Sequence, residues 1–235
     1  ASYGKDFKNN YKLIDLLEEI NKVEKIKRIR LGSIEPLLID EEFIERLSKL
    51  DKICHQFHLS LQSGCDETLK RMNRKYTAQS FRKEVELLRK TFPNVVLTTD
   101  VIVGFPGETE QEFNETYEYL KNIRFTKLHV FRYSPRKGTV AARMKDQVDS
   151  KIKEERSHKL IELSDKCEKE VLDKYIGKKV KVLFEKQEGE YIKGHTTNYL
   201  VVKIKDSKLE NQILDINITS REELELIGKC NKNVT

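Results

Sequence analysis

The stretch Thr98-Thr-Asp-Val-Ile-Val-Gly-Phe-Pro-Gly-Glu-Thr109 carries the strongest fold signal in this chain. Its first half belongs to a segment in which apolar and polar side chains alternate, as they do in a strand with two different faces. Two glycines follow in a short turn, and Thr109-Glu-Gln-Glu112 then forms a capping box that begins a helix. Strands that pass through such turns into helices are the units of a parallel α/β sheet.

A second stretch, Leu61-Gln-Ser-Gly-Cys-Asp-Glu-Thr-Leu-Lys-Arg-Met-Asn-Arg-Lys-Tyr-Thr77, repeats this arrangement after an earlier strand. Glycines in these turns allow backbone N–H groups to approach a ligand closely. Ligands of α/β folds bind beyond the carboxyl ends of the strands. The two loops therefore predict one binding site at that edge of the sheet.

The remaining pattern up to residue 133 alternates helix and strand. Apolar spacing predicts a helix over residues 12–23, and Asp40, Thr77 and Thr109 are candidate N-caps for three more. The predicted strands are residues 28–34, 56–61, 95–103 and 127–133. This order predicts an α/β fold with a parallel sheet.

The predicted strands are apolar on one face and polar on the other. The polar face carries these side chains: Arg28, Arg30, His58, Ser60, Gln62, Thr98, Asp100 and His129. Exposed one-sided parallel sheets are rare, so the pattern favours a polar face that lines a cavity. The alternative is an open sheet whose polar side meets water.

A different region begins near residue 149. Residues 151–175 have the pattern of a charged connecting helix with one narrow apolar stripe. Four short strands are then predicted over residues 179–185, 191–195, 199–205 and 213–219, as in a small β-barrel or sandwich. We therefore expect an α/β domain over 1–148, a connecting helix over 149–175 and a β domain over 176–231.

The composition favours a cytoplasmic protein with a polyanionic partner. The 235 residues are 37% hydrophobic and 36% charged, with a net charge of +6. No apolar run approaches the roughly 20 residues of a membrane span, and the first residues lack the apolar segment of a signal peptide. The bias toward nucleic acid is mild, because a lysine-rich surface has the same composition.

The four cysteines, Cys54, Cys65, Cys167 and Cys230, are scattered and form no C-x-x-C pair. This spacing favours reduced thiols. A zinc site made from Cys54, His55, His58 and Cys65 is the alternative, but strand alternation directs His55 to the face opposite Cys54 and His58.

Five stretches resemble the methylthiotransferase family of radical SAM enzymes. Residues 61–77 and 99–109 are two of them, and His129-Val-Phe-Arg-Tyr-Ser-Pro-Arg-Lys-Gly-Thr139 with Arg143-Met-Lys-Asp-Gln-Val148 follow on. The fifth, Gly194-His-Thr-Thr-Asn-Tyr-Leu200, resembles the TRAM module of that family, which binds tRNA. The resemblance implies a partial parallel (β/α) radical SAM barrel followed by a small all-β TRAM barrel.

Within the family, the resemblance is closest to the enzymes that act on threonylcarbamoyladenosine in tRNA. Ser63-Gly64 after Gln62, and Leu128-His-Val-Phe131, carry this distinction. Members acting on isopentenyladenosine in tRNA or on a ribosomal protein are the alternatives within the family. A stand-alone RNA-binding module is the alternative from another class.

The resemblance implies an enzyme that adds sulfur and a methyl group to an adenosine beside the tRNA anticodon. It would use S-adenosyl-L-methionine and two 4Fe-4S clusters, one of them held by a C-x-x-x-C-x-x-C motif. That motif is absent from this sequence. We therefore expect a C-terminal fragment that is inactive alone, with no catalytic residue and no metal ligand of its own.

Candidate site residues are carried over from the resemblance. Those expected near S-adenosylmethionine are Ser33, Glu35, Gln62, Ser63, Arg74, Asp100, Val103, Gly104, Phe131 and Tyr133. Those expected to contact tRNA, as basic residues around the loops and on the β domain, are Lys70, Arg71, Lys75, Arg136, Lys137, Lys179 and Lys193. A truncated barrel would also expose a sheet edge at residues 28–34, which predicts self-association through that edge.

Overall fold

Four parallel strands form an open sheet in the order β1-β2-β3-β4. The computed structural model describes Tyr3, residues 6–7, 11–206 and 208–230. The strands are β1 (Ser33–Ile34), β2 (Gln56–Gln62), β3 (Val96–Val103) and β4 (Lys127–Arg132). Each pair of neighbours is parallel, as the alternation of helix and strand predicted.

Five helices accompany this sheet: α1 (Leu13–Lys22), α2 (Glu41–Ser48), α3 (Asp66–Arg71), α4 (Ala78–Thr91) and α5 (Glu110–Ile123). The three predicted N-caps are confirmed. The side chains of Asp40, Thr77 and Thr109 each accept a hydrogen bond from the backbone N–H three residues later. These bonds satisfy N–H groups that the first helical turn leaves unpaired, so they fix where each helix begins.

The apolar face of the sheet packs against the helices. Phe57, Leu59 and Leu97 lie in one continuous core with Phe81 of α4 and Phe113 of α5. None of these five side chains is more than 1% exposed. The opposite, polar face is free of these helices, and this leaves it open to the cavities described below.

The predicted strand over residues 28–34 is largely wrong. Only Ser33 and Ile34 pair with β2, and Ile29 makes a single bridge to Ile53. Arg28, in the part of this segment that does not pair with β2, contacts the second half of the chain. Arg28 Nη1 donates to the carbonyl oxygens of His195 at 2.7 Å and Thr196 at 3.2 Å. Self-association through this edge stays a prediction.

The second half begins with a 24-residue helix, α6 (Ser150–Asp173). It leads into β5 (Lys179–Glu188), β6 (Tyr191–Thr196), β7 (Val201–Lys205), β8 (Ile213–Glu222) and β9 (Glu225–Cys230). These strands form a closed barrel in the order β5-β6-β7-β9-β8. Together with the open parallel sheet, this barrel confirms the predicted fold class.

The strand β9 was not predicted from the sequence, although it closes the barrel. It pairs with β8 in an antiparallel manner and with β7 in a parallel manner. Leu226 is fully buried, and a side chain on Gly228 would lie 2.3 Å from Ile216. The strand β9 is short and contains the charged residues Glu225 and Lys229, so its local sequence does not have a strand pattern. Pairing with β7 and β8 stabilises it as a strand.

The small barrel packs at the amino ends of the sheet strands. Val96, the first residue of β3, belongs to the apolar core of the barrel. Asn198 Nδ2 donates to the Asn94 carbonyl at 2.8 Å and to the Tyr175 hydroxyl at 2.6 Å. The carboxyl ends of β2, β3 and β4 lie at the opposite edge. Among the residues described, no helix has the length and apolarity needed to cross a membrane.

Glu84 on α4 has a buried carboxyl oxygen, and no hydrogen-bond partner reaches it within the described part of the chain. Burial raises the pKa of Glu84 from 4.5 to about 7. The folded state therefore favours the protonated carboxyl, and the penalty for ionising it grows as the pH rises from 4.5 to about 7.

We expect Glu84→Gln to raise the free energy of unfolding by about 1 kcal/mol at about pH 8, and to leave it unchanged at about pH 4. Urea unfolding at both pH values measures this difference. Glu86→Gln, at an exposed position of the same helix, is the control. An equal gain at both pH values would show that the charge of Glu84 carries no penalty.

Candidate functional site

A cleft of about 470 Å³ opens at the carboxyl ends of β2, β3 and β4. Strand ends and the loop after β4 line it. The lining residues are Gln62, Asp100, Ile102, Phe131, Arg132, Tyr133, Ser134, Arg136, Thr139 and Ala141. The structure thus brings together four residues expected at the cofactor and one, Arg136, expected at RNA.

Gln62 lines this cleft at the carboxyl end of β2. It ends β2 with a left-handed φ of 72°, and the pairing of β2 with β3 shifts register between Leu59 and Gln62. A non-glycine residue in that region is held there by its surroundings. Its side chain is 8% exposed, so it is a nearly buried amide at the edge of the cleft.

Two aromatic side chains form the apolar wall of the cleft. Phe131 is 52% exposed, which is unusual for a phenylalanine on a sheet. Tyr133 packs edge-on against Phe105, with ring centroids 5.2 Å apart. The Tyr133 hydroxyl is buried and has no hydrogen-bond partner among the described residues. The wall therefore offers one exposed ring and one unpaired polar atom.

Asp100 supplies the negative charge of the cleft. Its Oδ2 lies 3.1 Å from Nε2 of His58, a residue that was not among the predicted site residues. His58 stands on the polar face of β2, so its place in the alternation was the available signal. The His129 ring lies 5.3 Å from that of His58. Burial lowers the pKa of His129.

Ser63 does not line the cleft. Its hydroxyl shares a hydrogen bond of 3.0 Å with Thr116 of α5 and accepts one from the Cys65 amide at 3.2 Å. Ser63 therefore joins β2 to the helix layer and supports the turn into α3. A side chain on the next residue, Gly64, would lie 2.8 Å from Tyr119, which explains the glycine there.

The amides of the loop after β3 are already engaged. The N–H groups of Gly104 and Phe105 donate to Glu108 Oε2 at 2.9 Å and 3.3 Å. Val103 is 1% exposed, and its carbonyl accepts from the Tyr133 amide. Neither Val103 nor Gly104 lines the cleft, because the loop folds around the carboxylate of Glu108.

Glu108 is held from the other side by Arg156 of α6. Both side chains are 5% exposed, and Arg156 Nη1 donates to Glu108 Oε1 at 2.9 Å and to its carbonyl at 3.1 Å. Burial raises the pKa of Glu108, while Arg156 and the loop amides oppose that rise. The ion pair between Glu108 and Arg156 holds α6 against the loop that follows β3, beside the cleft.

Three further candidates for cofactor binding lie away from the cleft. Ser33 is exposed in β1, and Glu35 is half-buried before the turn that begins at Pro36. Arg74 is half-buried after α3 and has no ion-pair partner in the part of the chain that is described. None of the three belongs to the lining of the cleft.

The candidate RNA-binding residues divide into paired and unpaired groups. Arg71 forms two hydrogen bonds with Glu112, at 2.8 Å and 2.7 Å, so it joins α3 to α5 and is not free for RNA. Lys193 is paired with Glu188 and Glu225, and Lys179 lies 3.1 Å from Asp215. The exposed candidates without an ion pair in the described residues are Lys70, Lys75, Arg136 and Lys137.

The described residues contain no group of three or more His, Cys, Asp or Glu side chains that could hold a metal ion. Cys54, Cys65 and Cys167 are buried free thiols, and Cys230 is partly exposed. Burial raises the pKa of the Cys54 and Cys65 thiols, which disfavours the thiolate that binds metals. The His55 ring packs on Phe92 at 5.1 Å and takes no part in such a set.

Comparison with known proteins assigns the family. The model of the Radical SAM superfamily matches residues 2–120. The chain belongs to the radical SAM superfamily. The MtaB protein of Bacillus subtilis, a threonylcarbamoyladenosine tRNA methylthiotransferase, is 46% identical over 214 residues, which are 88% of this chain and 47% of that protein.

A tRNA-2-methylthio-N(6)-dimethylallyladenosine synthase of Thermoanaerobacter sp. is 39% identical over 232 residues, which are 97% of this chain and 49% of that protein. The chain thus spans about half the length of the curated relatives it matches. Coproporphyrinogen III oxidase of Escherichia coli, a radical SAM enzyme, has a similar fold, with a TM-score of 0.55 and 16% identity over 68% of this chain and 38% of that one.

Gly104 does not line the cleft, but it packs against Lys153, which contacts the cleft residue Tyr133. The φ of Gly104 is +70°, and a Cβ there would lie 2.2 Å from Lys153 Cγ. Lys153 in turn donates to the Tyr133 carbonyl at 3.2 Å, so its displacement would disturb the aromatic wall.

We expect Gly104→Ala to lower the free energy of unfolding by about 2–3 kcal/mol, which combines backbone strain with overpacking. Gly138→Ala is the matched control, because Gly138 has a φ of +89° but a Cβ added to it would meet nothing within 4 Å. Urea unfolding compares the two. Equal losses would mean that strain alone matters and that Lys153 yields freely.

Proposed function

We propose that this chain supplies the S-adenosylmethionine cleft and the RNA-binding end of a radical SAM methylthiotransferase. The substrate we propose is threonylcarbamoyladenosine next to the anticodon of tRNA. The observation that carries the proposal is the cleft at the carboxyl ends of β2, β3 and β4, in a chain whose relatives modify tRNA.

The cleft residues fit S-adenosylmethionine. The exposed Phe131 ring offers a surface for a planar adenine, and the carboxylate of Asp100 accepts hydrogen bonds from hydroxyl or ammonium groups. The unpaired Tyr133 hydroxyl is a further polar atom that a ligand can satisfy. When bound, S-adenosylmethionine supplies the methyl group and, with a reducing cluster, the radical chemistry of the superfamily.

The same residues do not fit a 4Fe-4S cluster. Cluster binding needs cysteine thiolates that converge, whereas three of the four cysteines here are buried singly and no C-x-x-x-C-x-x-C occurs in the sequence. We therefore propose that both clusters are held by polypeptide outside this sequence, that the chain is a fragment of the enzyme, and that it is inactive alone.

The basic rim of the cleft suits a tRNA backbone. Arg136 lines the cleft, and Lys137 follows it on the same exposed loop. Guanidinium and ammonium groups beside an exposed ring combine phosphate contacts with base stacking. The five-stranded barrel, which we propose to be a TRAM domain, offers a second surface. Threonylcarbamoyladenosine is favoured over dimethylallyladenosine by 46% against 39% identity.

Calorimetric titration with S-adenosylmethionine tests the cleft. We expect Phe131→Ala to weaken binding about tenfold, because a base–aromatic contact contributes about 1–3 kcal/mol. Ile213→Ala removes a comparably exposed apolar side chain, 41% exposed, from the small barrel and is expected to bind as the parent chain does. Equal affinities for the two variants would place the ligand elsewhere.

Anaerobic treatment of the same chain with iron and sulfide tests whether the chain can hold a cluster by itself. We expect less than one 4Fe-4S cluster per chain and no cleavage of S-adenosylmethionine. A stoichiometric cluster with cleavage would contradict the proposed inactivity, while leaving the cleft assignment in place.

A further inference from the structure

A row of three hydrogen bonds and one close ion-pair contact crosses the polar face of the sheet and ends in the cleft. Arg30 Nε donates to Gln56 Oε1 at 2.8 Å, and Gln56 Nε2 donates to Thr98 Oγ1 at 3.2 Å. Thr98 Oγ1 lies 2.9 Å from His58 Nδ1, and His58 Nε2 lies 3.1 Å from Asp100 Oδ2. We refer to these five side chains as the relay.

The chemistry of the two ends sets the direction of three of the four contacts in the relay. A guanidinium group only donates, so the Gln56 atom facing Arg30 is the carbonyl oxygen and its amide nitrogen faces Thr98. A carboxylate only accepts, so His58 Nε2 carries the proton toward Asp100. Thr98 accepts from Gln56, and we infer that it donates to His58 Nδ1. This assignment makes His58 the neutral Nε2–H tautomer.

The Arg30 end of the relay lies against the small barrel. The Arg30 guanidinium stands 4.1 Å from the centroid of the Tyr199 ring. The Tyr199 ring also stacks on that of His195, with centroids 4.1 Å apart and an interplanar angle of 15°. A stacked guanidinium keeps its donors in a fixed plane. The docking of the small barrel therefore orients the first donor of the relay.

The Asp100 end lines the cleft with a carboxylate that can still accept hydrogen bonds from a ligand. Its Oδ2 faces His58, whereas no protein donor reaches Oδ1 in the described part of the chain. The middle members are nearly buried: Gln56 is 2% and Thr98 8% exposed. Hydrogen bonds in such surroundings are strong and hold their partners in place.

Two cavities adjoin the relay. Asp100 lines the cleft, whereas Arg30, Gln56, His58 and Thr98 line a second cavity of about 220 Å³ between the sheet, α6 and the small barrel. The cleft and the cavity beside the small barrel therefore border different members of the relay.

We propose that the relay is a positioning device, in which Arg30, Gln56, Thr98 and His58 fix the Asp100 carboxylate as a ligand acceptor and make its orientation depend on the docking of the small barrel. This inference rests on the proposed function for its ligand, S-adenosylmethionine, but not for its geometry. None of the four acts on the ligand directly.

The ring nitrogen chemical shifts of His58, measured by NMR in the ligand-free chain, test the relay itself. We expect the neutral Nε2–H tautomer in the parent chain and in Thr98→Ser, which keeps the hydroxyl. Thr98→Val removes the donor to Nδ1 and is expected to give a mixture of tautomers. A parent His58 protonated on Nδ1, or identical spectra for the two variants, would overturn the proposal.

Titration with S-adenosylmethionine tests the effect on the cleft. We expect Thr98→Val to weaken binding about fivefold, a coupling of the usual size, and Thr98→Ser to bind within about twofold of the parent. Arg30→Met, at an exposed position that spares folding, is expected to weaken binding as Thr98→Val does. Lys27→Met, exposed on the same segment, is its control.

The outcomes separate the two proposals. A parent chain that does not bind S-adenosylmethionine contradicts the proposed function, and the NMR result then decides the relay alone. A parent chain that binds, with unchanged affinity in Thr98→Val and Arg30→Met, overturns the relay and leaves the proposed function standing.

Discussion

The buried ion pair between Arg156 and Glu108 anchors the helix that joins the two halves of the molecule. It fastens α6 to the loop after β3, and this loop then uses its own amides to hold Glu108. Removing one member of such a pair would leave an uncompensated buried charge, at a cost of ~3–5 kcal/mol. At its other end the same helix contributes Leu172 to the barrel core and pairs Asp173 with Arg221. One helix thus positions both the cleft wall and the small barrel.

Local signals in the sequence were sufficient for much of this architecture. N-cap residues and strand alternation located the starts of α4 and α5 and the bounds of β2 and β3 to within a residue or two, because these elements satisfy their own backbone groups. The polar alternation also placed Gln62 and Asp100 at one edge of the sheet. Parallel pairing brings such strand ends together whatever the loops do.

Contacts between distant residues account for what the sequence did not reveal. Ser63 was expected near S-adenosylmethionine and Arg71 at tRNA. In the structure the Ser63 side chain forms a hydrogen bond with Thr116 of α5, and Arg71 forms one with Glu112 of the same helix. Gly104 was expected to approach a cofactor, but Glu108 takes its amide. His58 was placed on the polar face but not named as a cofactor-binding residue, because no local pattern shows its contact with Asp100, 42 positions later.

The chain therefore combines a cleft that we propose for S-adenosylmethionine with a cysteine content that does not suit a cluster. Polar side chains on β2 and β3 connect that cleft to the face on which the small barrel docks. The barrel is thereby part of what orients the cleft, since Arg30 reaches Tyr199 on one side and Gln56 on the other. If the cleft formed by β2, β3 and β4 is where S-adenosylmethionine binds, NMR chemical-shift mapping on the isotope-labelled chain will show it. We predict that the largest shifts on adding S-adenosylmethionine occur at Gln62, Ile102 and Phe131. Shifts confined to the small barrel, or to a separate pocket that Leu13 of α1 and Phe43 of α2 help to line, would contradict this assignment.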